Sequence, residues 1–140
     1  MSDLKTSESG EAAAPSEMQQ FTAAINAKYR LHVAAFEAGD PEPILQHFFT
    51  ADALWEYHGY PRREGREQLR RLFDEVIRSD RVAVQSIRSY VNGDNGWDYA
   101  DYTVTPRDTT KSAWVFRQIF CWVRIEGEWL VNACIGFIPS

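Results

Sequence analysis

Between His32 and Arg71 the sequence issues four different backbone instructions in succession. A helical face runs out at Gly39-Asp40, a short helix opens at Pro41, Ala53–His58 alternates like a strand, and a further helix starts at Gly65. Glycine accepts the left-handed cap that ends a helix, and proline suits the first helical turn because its missing N–H is not needed there. Two helices, a strand and a helix cannot close a core alone. They need a second layer, and the rest of the chain has to supply it.

That layer is written in the change of period after residue 81. Val82–Val91 reads as a strand, Asn92–Gly96 as a turn, and Trp97–Thr105 as the returning strand. Pro106–Thr110 reads as a loop, and Ala113–Ile125 and Trp129–Ile138 as two long strands joined at Glu126-Gly127-Glu128. Upstream, Phe21, Ile25, Tyr29, His32 and Phe36 recur at helical spacing, so a first helix is predicted over Glu17–Ala38 with Ser16 as its N-cap. Asp40 is placed to cap the short helix Pro41–Phe49. A third helix, Gly65 to about Arg78, has Leu69, Leu72, Phe73, Val76 and Ile77 as its inner stripe. The expected class is α+β: a cone of three N-terminal helices packed on a strongly curved antiparallel sheet, with a pocket between them.

A chain of 140 residues with this pattern is one domain, expected over residues 17–140. Residues 1–16 are rich in Ser, Glu, Ala and Gly and hold no aromatic, so a disordered tail is expected there. Five Trp and eight Phe exceed what a minimal core needs, which predicts a ring-lined cavity, a buried subunit interface, or both. The net charge of −5 argues against nucleic acid or an anionic membrane as partner. Arg62, Arg63, Arg66, Arg70 and Arg71 alternate with acidic residues and read as a solvated face. Cys121 and Cys134 lie in apolar runs without metal-ligand spacing, which argues against a zinc site. Two buried free thiols are expected, with a disulfide between neighbouring strands as the alternative. No apolar run reaches the length of a membrane span and no signal-peptide core opens the chain, so a cytoplasmic location is expected.

The order of elements is accompanied by specific words: Ala38-Gly39-Asp40 at the helix end, Phe-Thr-Ala-Asp-Ala-Leu-Trp over 49–55, Gly65-Arg66-Glu67 opening a helix, and Gly127-Glu128-Trp129 in the last turn. Together they resemble the nuclear-transport-factor-two-like superfamily, in its SnoaL-like and ketosteroid-isomerase-like branch, over about Met18 to Ile138. The resemblance implies the cone fold, a deep pocket, no cofactor, a small-molecule substrate, and a homodimer formed through the sheet. It does not fix a reaction, because the superfamily holds isomerases, cyclases, dehydratases, epoxide hydrolases and pure binding or assembly domains. Ketosteroid isomerases carry three catalytic side chains whose equivalents here are His32, Tyr57 and Cys121, and all three differ in type. The epoxide-hydrolase pattern keeps only its Asp, at Asp101 in Tyr99-Ala100-Asp101. Scytalone dehydratase is similar in using Tyr, His and Asn.

The residues themselves nominate His32, Tyr57 and Asp101 as catalytic candidates. His32 shares the apolar helical face and titrates near neutrality in its ordinary state. Tyr57 can donate to a developing oxyanion, and a carboxylate among rings at Asp101 can serve as a base. Tyr29, Phe36, Trp55, Tyr99, Arg117 and Cys121 are expected to contact substrate. Arg117 needs a partner on its apolar face, and Asp101 on the neighbouring strand is the natural one. The expected function is acid/base chemistry on an apolar cyclic, polyketide-like or terpenoid-like substrate: isomerisation, cyclisation or dehydration. A non-catalytic binding or assembly domain is the alternative, and epoxide hydration a second.

Overall fold

The computed structural model describes residues 15–140, so the tail expected over residues 1–16 lies outside the described residues except for Pro15 and Ser16. The elements in chain order are α1 (Glu17–Ala38), α2 (Glu42–His47), β1 (Phe49–Tyr57), β2 (Arg63–Glu64), α3 (Gly65–Ser79), β3 (Asp80–Asn92), β4 (Asn95–Pro106), β5 (Trp114–Ile125) and β6 (Glu128–Phe137).

Helix α1 follows its sequence cues to the residue. The Ser16 side chain accepts from the Gln19 backbone N–H, and the Gln19 side chain accepts from the Ser16 N–H. Gly39 ends the helix at φ 69°. The predicted face of Phe21, Ile25, Tyr29, His32 and Phe36 is buried throughout. Burying each large apolar side chain contributes about 1.5–3 kcal/mol, so this face anchors the helix layer. The N-cap of α2 is Pro41, although Asp40 still accepts from the Glu42 N–H at 3.1 Å. Leu69, Leu72, Phe73 and Ile77 form the buried stripe of α3, and Val76 packs partly against it. On the opposite side Arg70 pairs with Glu42, and Arg66 Nε donates to the Leu45 carbonyl at 3.2 Å.

The six strands form one sheet in the order β2-β1-β6-β5-β4-β3. Four of the five strand pairs are antiparallel, but β1 and β6 run parallel, which corrects the expectation of an all-antiparallel sheet. Hairpins force neighbours to run in opposite directions. No hairpin joins β1 to β6; the whole of α3 and the β3–β5 meander lies between them, so their relative direction is set by where the meander returns. The helices cover one face of this mixed sheet. On β4 that face carries Asp98, Ala100, Tyr102 and Val104, and on β5 it carries Phe116, Gln118, Phe120 and Trp122. The chain is an α+β fold with three helices against a mixed sheet.

Both cysteines are free thiols. Cys134 is buried, and burial pushes its thiol up to about 12, partly offset by the Gln118 amide. Cys121 is only half-buried, because it faces away from the helices. No described helix is long and apolar enough to cross a membrane.

Candidate functional site

A cavity of about 180 Å³ opens between α1, α3 and the inner face of the sheet. His32 and Phe36 enter from α1, Phe49, Trp55 and Tyr57 from β1, Leu72, Phe73 and Val76 from α3, and Tyr102, Phe116 and Gln118 from the central strands. Exposed Tyr60 and Trp114 stand at its mouth. The volume is close to the roughly 150 Å³ of an engineered apolar cavity known to admit benzene, and below the roughly 300 Å³ at which drug-sized pockets begin. The enclosed part has room for one six-membered ring with small substituents.

The polar groups in this apolar wall are few. His32 is 1% exposed, and its Nε2 is hydrogen-bonded to Tyr102 Oη at 2.7 Å. Phe36 stacks on the imidazole, while Phe48 and Phe73 pack on it at ring-centroid distances of 4.6 and 5.9 Å. Burial among these rings lowers the His32 pKa to about 3. The side chain is therefore a neutral hydrogen-bonding group, and Nδ1 has no partner. Leaving a buried polar atom unpaired costs about 1–3 kcal/mol. Burial also holds the Tyr102 phenol well above its usual range, and the Cys134 thiol and the Asp80 carboxylate push the same way. Asp80, where α3 gives way to β3, supplies a carboxylate to the cavity wall. The Tyr57 phenol is raised by burial and by neighbouring Tyr60. Space for Tyr57 comes from Gly136 on β6, where a Cβ would lie 2.8 Å from the Tyr57 ring and 3.1 Å from that of Phe116.

Four of the residues expected at a site meet here: His32, Tyr57, Phe36 and Trp55. Asp101 is not brought to them. The predicted alternation on β4 is right, but Trp97, Tyr99, Asp101 and Thr103 lie on the face turned away from the helices. There Arg117 Nε donates to Asp101 Oδ1 at 2.6 Å and Nη1 to Tyr99 Oη at 2.9 Å, the pairing expected for Arg117. Cys121 shares that outer face. Tyr29 is buried beyond the cavity among Phe48, Phe120 and Trp122, and donates to Asp98 Oδ2 at 2.5 Å. Ser86 and Ser89 also donate to Asp98, at 2.6 and 2.5 Å. A bulge at Ile87 turns both serines inward, so this fully buried carboxylate is a tie between α1, β3 and β4. Among the described residues, no cluster of three or more His, Cys, Asp or Glu side chains is placed to hold a metal ion.

Asp80, Tyr102 and Gln118 were not nominated by sequence reasoning. Tyr102 carried the only usable signal, since it alternates with Asp101 and had to face whichever way Asp101 did not.

The sequence pattern of the SnoaL-like domain matches residues 29–131, a span that holds the C-terminal half of α1 with Tyr29, His32 and Phe36, and runs through β5. The chain belongs to the SnoaL-like family. Among solved structures it is similar to a protein of unknown function from Mycobacterium tuberculosis, with 19% identity over 86% of this chain and 72% of that one, at a TM-score of 0.75. A ketosteroid isomerase-like protein from Erwinia carotovora atroseptica shares 18% identity over 84% and 95% of the two chains, at a TM-score of 0.68. A nuclear-transport-factor-two-like protein with a cystatin-like fold from Novosphingobium aromaticivorans shares 13% over 86% and 85%, at 0.72. No curated protein sequence matches the chain. At these identities the likeness is one of fold, and SnoaL-like domains serve both as enzymes and as binding modules.

Proposed function

We propose that this SnoaL-like domain is an enzyme that moves a proton on a small monocyclic substrate bearing a carbonyl or hydroxyl group. The observation that carries the reading is the His32–Tyr102 pair in the wall of a one-ring apolar cavity that also holds the Asp80 carboxylate. As the Nε2–H tautomer, neutral His32 donates to Tyr102 Oη, and the phenol turns its own hydrogen toward the substrate oxygen. Asp80 removes the proton from the carbon next to the carbonyl, electrons pass to the oxygen, and an enolate forms against Tyr102 with Tyr57 as a second donor. Return of the proton from Asp80 to a different carbon gives isomerisation; loss of a β-hydroxyl that takes the proton from Asp80 and leaves as water, with a C=C bond forming as the C–O bond breaks, gives dehydration. His32 thus acts through Tyr102, and the proton-transfer role expected for Asp101 passes to Asp80.

The direct test is exchange of the α-protons of cyclohexenones and cyclic hydroxyketones in D2O, followed by NMR. Wild-type protein is expected to accelerate exchange, and Asp80→Asn to lower that rate by about 10²-fold or more with ligand affinity retained. Tyr102→Phe is expected to lower it by about 10–10²-fold. Binding with no exchange above background would replace the enzyme by the non-catalytic binding domain.

We also propose a homodimer through the outer sheet face. Tyr90, Trp97, Val115 and Ile135 stand exposed there around Tyr99, Ile119 and Cys121, a contiguous apolar patch that a monomer would leave in water.

A further inference from the structure

The cavity does not end at its mouth. A second groove, lined by Arg78, Ser79, Pro106, Arg107, Asp108 and Lys111, shares Asp80 and Trp114 with it. The two spaces thus share a wall formed by Asp80 and Trp114, one apolar and the other carrying three basic side chains beside Asp80 and Asp108. Three basic side chains in one groove stand out on a chain whose net charge is −5.

The groups in the groove are not equally free. Arg107 is committed to the fold: Nη2 donates to the Phe36 carbonyl at 2.5 Å and Nε to the Ile77 carbonyl at 3.4 Å, which ties the ends of α1 and α3 together. Asp108 is also engaged. It accepts from the Thr110 hydroxyl at 2.7 Å and the Thr110 N–H at 3.0 Å, and these bonds, with Lys111 nearby, hold its carboxyl below the usual range. Arg78 is exposed in the last turn of α3, and among the described residues neither it nor Lys111 is in an ion pair. Their donors are available to a ligand that emerges past Trp114.

We infer that the substrate is a monocyclic carboxylic acid, with its ring in the cavity and its carboxylate in the groove against Arg78 and Lys111. The guanidinium fork and the ammonium of these two residues suit a carboxylate held by charge-assisted hydrogen bonds. Asp80 lies at the junction, so an anion there is favoured only on the Arg78–Lys111 side. That selects a spacer between ring and carboxylate instead of an acid group directly on the ring. The inference rests on the cavity reading above and narrows it to a substrate class.

The test compares cyclohexyl alkanoates carrying one to four methylenes with their neutral primary amides, by calorimetry at low ionic strength. In the wild type one chain length is expected to favour the acid over its amide by roughly five- to tenfold, and added salt should erode the preference. Arg78→Gln/Lys111→Gln should remove the preference and leave amide affinity unchanged. Equal affinity for acid and amide at every length, or a preference that survives in the double variant, would overturn the carboxylate subsite and leave the cavity reading standing. If neither acid nor amide binds, both readings fall.

Discussion

His32 shows how far burial can move a residue from its usual behaviour. Its sequence context suggests a group titrating near neutrality, whereas the surrounding Phe36, Phe48 and Phe73 rings lower its pKa to about 3. The sign of the resulting pH dependence follows directly. Above about pH 6.5 the side chain is neutral in folded and unfolded chains alike. Below it the unfolded chain binds a proton that the folded chain refuses until about pH 3, so stability falls as pH falls through that window. The whole window corresponds to on the order of 5 kcal/mol at about 1.4 kcal/mol per pH unit. Between pH 7.5 and 4.5, wild-type protein is expected to lose about 2–3 kcal/mol more than the double variant His32→Leu/Tyr102→Phe, which removes both hydrogen-bonding partners together. Urea denaturation at the two pH values measures the difference. Equal losses would show that His32 is not the residue responsible. The same burial argues against His32 as an imidazolium acid.

At the scale of elements, the site depends on where strands bring their alternating faces. Gly136 on β6 is opposite Gln118 on β5 and next to Tyr57 on β1, and the absence of a side chain lets two aromatic rings meet above it. A methyl group at Gly136 would sit 2.8 Å from backbone-anchored Tyr57 and force it into the cavity. Gly136→Ala is therefore expected to destabilise the protein by about 1–3 kcal/mol and to weaken binding of single-ring ligands by tenfold or more. Thermal denaturation and calorimetry read the two effects separately. Unchanged ligand affinity would mean that Tyr57 does not form a fixed wall. Both ends of α1 and the start of α3 were legible because their signals are local: Ser16 with Gln19, Gly39, and Gly65 each act within a turn of backbone, whereas α2 ends at His47, short of the expected Phe49. The parallel pairing of β1 with β6 was not, since it joins residues about eighty positions apart.

At the scale of the whole molecule, the sheet has one face under helices and one face outside them. The outer face combines the Arg117–Asp101 pair with an apolar stripe in which Tyr90 and Trp97 stack at 6.0 Å. Pairing of two such faces would bury the stripe and shield half-buried Cys121. Light scattering at micromolar concentration is expected to give twice the chain mass, and Ile135→Asp with Trp97→Asp to give a monomer. Maleimide should label Cys121 slowly in the dimer and faster in that variant. A wild-type monomer, or unaltered labelling, would refute this interface.

By itself the sequence determined the three helices, five of the six strands, the caps of α1 and the alternation of β4, because these are set by hydrogen bonds and steric limits within a few residues; the two-residue β2, the start of β1 at Phe49 and the bulge at Ile87 carried no such local signal. It also determined the family pattern, and it nominated His32, Tyr57, Phe36 and Trp55, which share the cavity. Besides the parallel β1–β6 pairing, it left open which face of each strand the helices cover. Alternation has a period of two and no preferred side, so Tyr102 and Asp101 were equivalent until α1 packed on one of them. Tertiary structure made that choice, put Tyr102 beside His32, turned the expected Arg117–Asp101 pair to the outer face, and drew Asp80 into the wall from a helix–strand junction with no periodic signal of its own.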